Sequence, residues 1–89
     1  MSAKRFIVRG QVQGVNFRAT AAEQARRLGL TGRIWNRDDG AVEAEAEGSA
    51  DALAKFEAWL HRGPSYAEVE SVEAIDVEGA APRHRFMIE

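Results

Sequence analysis

Residues 42–47 alternate without interruption between Val42, Ala44 and Ala46 on one hand and Glu43, Glu45 and Glu47 on the other. A period of two sets small apolar side chains on one face of a strand and carboxylates on the opposite face. A strand written this way belongs to a sheet that is covered on one side and wet on the other. The covering layer must come from the same short chain, and two segments have helical spacing. In the first, Phe17, Ala21, Ala25 and Leu28 recur at helical intervals, with Gly29 as a stop followed by apolar Leu30. In the second, Ser49 is the expected cap, Asp51 lies in the first turn, and Leu53, Phe56 and Leu60 form the stripe with Ala52 and Trp59 alongside, ended by Gly63-Pro64.

Strands account for the rest. Phe6, Val8, Gly10 and Val12 share one face of a first strand over 4–12, and Gly32–Arg37 is a short second strand closed by Asp38-Asp39-Gly40. A fourth lies within Ala67–Val77, where Val69 and Val72 break parity and predict a bulge or an early end. A last short strand is expected over Arg85–Ile88 with Phe86 and Ile88 inward. The order β-α-β-β-α-β predicts an α+β ferredoxin-like sandwich: an antiparallel sheet, two helices on one face, and a short extra C-terminal strand. No linker or repeat divides residues 1–89, so one domain is expected. Such a fold hosts many functions and selects none.

Composition removes several classes. There are no cysteines, hence no disulfide frame, thiolate nucleophile or Cys-ligated zinc. The longest apolar runs, such as Phe6-Ile7-Val8, are three residues, too short for a membrane span or a secretory leader. A cytoplasmic monomer is therefore expected. Residues 1–37 carry eight Lys/Arg against the single acid Glu23, a net +7, while residues 38–89 carry four against thirteen acids, a net −9. A chain with an acidic majority is poorly suited to a long polyanion, though a local basic pocket for a small anion is compatible with it. Recognition of RNA through the sheet is excluded as well, because strand three offers three glutamates where stacking aromatics and positive charge are needed.

The most informative loop is Gly10-Gln11-Val12-Gln13-Gly14-Val15-Asn16-Phe17-Arg18, ending as the first helix begins. A helix N-terminus leaves N–H groups unpaired and carries partial positive charge. A loop with glycine at both ends can curl so that its amides converge on an anion, and Arg18 adds a fork of donors suited to phosphate oxygens. It is neither a Walker A loop nor a GxGxxG fingerprint. The plainer reading is that the glycines only turn the chain and Arg18 is a solvated surface residue. Asn36 closes strand two, which in a βαβ crossover runs parallel to strand one and ends at the same sheet edge. Sharing parity with Ile34, it should tip toward the helix side near the loop, where its amide can hold a water and a phosphoryl oxygen. Its plainer reading is as the opener of the Asp-Asp-Gly turn.

The stretch Val8-x-Gly10-x-Val12-Gln13-Gly14-Val15-x-Phe17-Arg18 closely resembles the first signature of acylphosphatases. Gly32-x-x-x-Asn36-x-x-x-Gly40-x-Val42-x5-Gly48 resembles the second, and Gly63-Pro64 with Ala67-x-Val69 resembles a later segment. The resemblance implies hydrolysis of acyl phosphates to a carboxylate and inorganic phosphate. It implies that Arg18 binds and orients the phosphoryl group, that Asn36 positions the attacking water, and that the amides of Gln13, Gly14, Val15, Asn16, Phe17 and Arg18 form the cradle. Arg33 and Trp35 look exchanged relative to the family habit, and Asn16 fills a variable position, so acyl-group preference is where a departure is expected.

The chemistry suits so sparse a set. The leaving carboxylate has a conjugate acid of pKa about 4–5, so it departs as an anion without a general acid. Phosphoryl transfer through a loose transition state depends on positioning and charge stabilisation. No metal or other cofactor is expected, and His61 and His84, outside the motifs, are expected at the surface. The expected partners are a small acyl phosphate and inorganic phosphate, as product and competitive inhibitor, with no nucleic acid or membrane. A non-catalytic anion-binding regulatory or interaction module of the same fold is the alternative. Larger carbamoyl-transfer proteins contain a similar domain; a chain opening at Met1 is expected to be free-standing.

Overall fold

The structure, a computed structural model, describes residues 2–78 and 84–89; Met1 and residues 79–83 of the expected domain lie outside the described residues. The elements are β1 (Ser2–Gln11), α1 (Phe17–Arg27), β2 (Thr31–Asn36), β3 (Val42–Gly48), α2 (Ala50–Arg62), β4 (Glu68–Val77) and β5 (Phe86–Ile88). They form one sheet in the order β4-β1-β3-β2-β5, so each helix bridges two parallel strands separated by one neighbour. The first four strands are antiparallel to their neighbours, as expected, whereas β5 lies parallel to β2 and makes the sheet mixed. The direction follows from topology: β4 opposes β2, so a segment that reverses after β4 reaches the free edge of β2 running its way.

Both helix boundaries that the sequence marks have a physical basis. At the end of α1, Leu30 N–H donates to Ala25 C=O at 2.9 Å and Gly29 N–H to Arg26 C=O at 3.1 Å. That is a Schellman closure, with Gly29 at φ 75° taking the left-handed position. At the start of α2, the Ser49 hydroxyl accepts from Ala52 N–H at 3.1 Å, and Asp51 sits in the first turn. The helices cover a core of Phe6, Val8, Val12, Phe17, Ile34, Val42, Leu53, Phe56, Leu60 and Phe86, each at most 2 % exposed. Phe56 is its hub, meeting Phe6 edge-on at 5.6 Å and Phe86 at 5.9 Å between ring centres. Contacts of this geometry contribute about 0.5–1.5 kcal/mol each beyond simple burial.

The expected bulge is present. Arg9 pairs with Ser71 and Gly10 with Val69, leaving Glu70 as the extra residue of β4 and absorbing the parity break. Gly10 lies inside β1, as the first-strand pattern predicts, and does not open the loop: it has φ 131°, and a Cβ there would stand 2.1 Å from the Glu68 carbonyl oxygen. Its absence of a side chain serves the closeness of β1 and β4, not the loop. Phe86 is buried as expected, but Ile88 is 41 % exposed. It is in register with Ile34 but lies at the end of the edge strand, where it borders the cleft with Arg18 and Ala19 of α1.

The charge asymmetry of the sequence becomes cross-strand pairing on the open face. Glu45 of β3 stands between Arg5 of β1 and Arg33 of β2, accepting from them at 3.0 and 2.9 Å. Glu43 pairs with Arg5 at 3.3 Å and Arg37 at 3.2 Å. Basic β1 and β2 thus flank acidic β3. Arg33 also lies over the Trp35 ring at 4.5 Å, so the two exchanged residues stack on the open face. Desolvation is the largest single influence on Glu45 and raises its pKa, but the hydrogen bonds from Arg5 and Arg33 and the attraction of their charges together outweigh it, and the net direction is down. A depressed folded value means stability that is full above the ordinary carboxylate range and is lost as pH falls through the folded value. Glu45→Gln is therefore expected to lower stability at neutral pH by about 1 kcal/mol and to flatten the loss of stability below pH 5, read as urea midpoints against pH.

Candidate active site

The loop between β1 and α1 turns on two left-handed residues. Gly14 has φ 78° and Asn16 φ 63°, with Val15 between them, and Asn16 is the only non-glycine residue at positive φ among those described. Alternation of this kind aims successive N–H groups to one side. No main-chain carbonyl of the described loops, turns and caps accepts from the N–H of residues 13–18. These amides sit at the positive end of α1, whose Asn16 cap makes no side-chain hydrogen bond to the helix. The orientation of α1 is fixed from beneath: Phe17 is 2 % exposed and meets Trp59 at 5.7 Å.

A cleft of about 160 Å³ opens over this loop, lined by Val12, Gly14, Asn16, Phe17, Arg18, Ala19, Asn36 and Ile88. Arg18 and Asn36, eighteen positions apart in sequence, therefore share one concavity, together with Gly14, Asn16 and Phe17 of the loop. Gln13 and Val15 do not line it. Val15 packs against the core, and the Gln13 side chain points to the β2–β3 hairpin, donating to the carbonyls of Arg37 at 2.7 Å and Ala41 at 3.0 Å. That side chain is a structural role the sequence did not reveal, since only the Gln13 amide was expected to matter. Its two bonds fasten the loop to the hairpin that carries Asn36.

Asn36 ends β2 opposite Val42 and is exposed. The turn after it is closed by Arg37 N–H to Ala41 C=O at 2.8 Å and Ala41 N–H to the Asp39 carboxylate at 3.1 Å. The latter hydrogen bond, joined by the Arg37 guanidinium, holds the Asp39 pKa below its usual value. Asn36 makes none of these bonds, so Arg37 and Asp39 fill the turn-opening role that was its plainer reading. Arg18, half-buried, donates to the main-chain oxygen of Glu89 at 2.8 Å, which steadies the guanidinium at the cleft. Nothing in the sequence signals that partner, 71 positions away.

His61 and His84 are exposed and outside the cleft, and Arg33 and Trp35 do not line it. Among the described residues, no group of three or more His, Asp or Glu side chains is arranged to hold a metal ion, and no helix is long and apolar enough to cross a membrane.

Comparison with known proteins agrees with this architecture. The family model for acylphosphatase matches residues 4–88. An acylphosphatase of Azoarcus sp. (strain BH72) is 50 % identical over 82 residues, covering 92 % of this chain and 81 % of that protein. The crystal structure of acylphosphatase from Bacillus subtilis superposes with a TM-score of 0.96 at 37 % identity, over 100 % of this chain and 99 % of that one. The structure of an acylphosphatase from Coxiella burnetii gives 0.93 at 32 % identity, over 99 % and 92 %. With the match running from the first strand to the last and taking in the whole cleft, the chain belongs to the acylphosphatase family.

Proposed function

We propose that this chain is a single-domain acylphosphatase that splits the carboxyl–phosphate bond of small acyl phosphates by direct attack of water, without a metal ion. The observation that carries the reading is the shared cleft: Arg18 and Asn36 open onto a loop whose amides have no main-chain acceptor among the described loops, turns and caps. The phosphoryl dianion sits on those amides and the Arg18 guanidinium, which neutralise charge spread over the equatorial oxygens. The Asn36 carboxamide holds the attacking water through its carbonyl oxygen and a phosphoryl oxygen through its NH₂. The water oxygen forms the new P–O bond, and the old bond to the acyl oxygen breaks with its electron pair going to the carboxylate. The water's protons remain on the phosphate product or pass to solvent. Phosphate occupies the same cradle and competes with substrate. The reaction is placed in the cytoplasm, on a monomer, with neither nucleic acid nor membrane as a partner.

The test is phosphate release from an aryl acyl phosphate with EDTA present. Turnover unaffected by the chelator is expected. Phosphate binding without turnover would instead identify the anion-binding module, and turnover abolished by EDTA would remove the metal-free mechanism.

A further inference from the structure

The geometry points to Ile88 as the residue that contacts the acyl group and sets which acyl phosphates are preferred. The inference rests on the hydrolase reading above and concerns the half of the substrate that the phosphate cradle does not touch. An acyl phosphate has a dianionic end and an acyl end. The cleft is correspondingly divided. Gly14, Asn16, Arg18 and Asn36 supply polar or main-chain surface, while Val12 and Phe17, 1 % and 2 % exposed, are already spent on the core. Ile88, 41 % exposed, is the one large apolar side chain with free surface among the described lining residues.

Its placement is set by the sheet. Ile88 pairs in parallel register with Ile34, the residue two before Asn36, so Ile88 and Asn36 project from adjacent strands on the same face. Strand spacing and rise put their Cα atoms about 8 Å apart. In-line displacement requires the water and the departing carboxylate to lie on opposite sides of phosphorus. A phosphoryl group between these two residues receives water from the Asn36 side and releases its carboxylate past Ile88. Asn16, which also lines the cleft, belongs to the phosphate loop, and Arg33 and Trp35 lie on the other face of the sheet. Trp35 borders Asn36 from a separate concavity, so within the cleft that holds Arg18, among the described residues, Ile88 is the large apolar side chain with free area.

The experiment compares kcat/KM for acetyl, butyryl and benzoyl phosphate, and inhibition by inorganic phosphate, in the wild type, Ile88→Ala and Ile88→Thr. Ile88→Thr keeps the β-branched shape suited to a strand while removing apolar surface. The wild type is expected to favour the larger acyl groups. Both variants are expected to lower the benzoyl-to-acetyl ratio of kcat/KM about ten-fold, in the range that a lost apolar contact gives, with phosphate inhibition unchanged within two-fold. Unchanged ratios in a folded variant overturn the inference, as do equal losses for all three substrates. Equal wild-type kcat/KM along the series overturns it without any variant. If the wild type hydrolyses none of the three, the hydrolase reading itself falls; if it hydrolyses them and the ratios stay fixed, only the role of Ile88 does.

Discussion

Arg18→Ala is expected to reduce kcat/KM for any acyl phosphate by about three orders of magnitude, or ~4 kcal/mol of transition-state stabilisation. The side chain is half-buried at the cleft, and its removal takes away the only cationic group among the described lining residues. Stability should barely move, because the visible partner lost is one exposed hydrogen bond to the Glu89 main chain. Phosphate inhibition should weaken along with turnover, since ground state and transition state both present the dianion. Arg18→Lys is expected to recover only part of the loss, a point charge being unable to reproduce the two-pronged donor. Steady-state kinetics with phosphate as inhibitor checks all three expectations. Wild-type turnover in Arg18→Ala would show that the amides suffice without it.

Asn36→Ala is expected to differ in kind. The amide is assigned to the water, so kcat should fall by about 10²–10³ while phosphate affinity stays within a few-fold. The backbone of β2 should be untouched, because the Asn36 side chain takes no part in closing the hairpin turn. Equal losses in kcat and in phosphate affinity would assign Asn36 to anion binding instead. The contrast with Arg18 matters more than either value: one substitution moves both quantities and the other moves only the rate.

What the sequence discloses and what it hides follow one physical division. The alternation of β3, the glycine stop after α1 and the Ser49 cap are local rules, in which neighbouring residues suffice to determine geometry. Arg18 and Asn36 were legible through the resemblance and through the parallel crossover, which brings two strand ends to one edge. Long-range choices were not. Three residues of β5 carry too little pattern to specify a parallel pairing with β2, which sets Ile88 beside the strand end that carries Asn36. The Gln13 side chain and the main chain of Glu89 are equally silent in sequence, because hydrogen bonds spanning 28 and 71 positions depend on the finished fold. Gly10 had two readings, a strand position and the first glycine of the loop, and the close approach of β4 decides for the strand.

The Gln13 fastening separates two properties that small enzymes often have entangled. Its amide neither titrates nor carries charge, so these two bonds do not themselves depend on acidity or ionic strength. The arginines and glutamates across the sheet respond to both. Solution conditions can therefore loosen the ion pairs of the open face, and those of Arg37 in the hairpin, while the two amide bonds that tie loop to hairpin are kept.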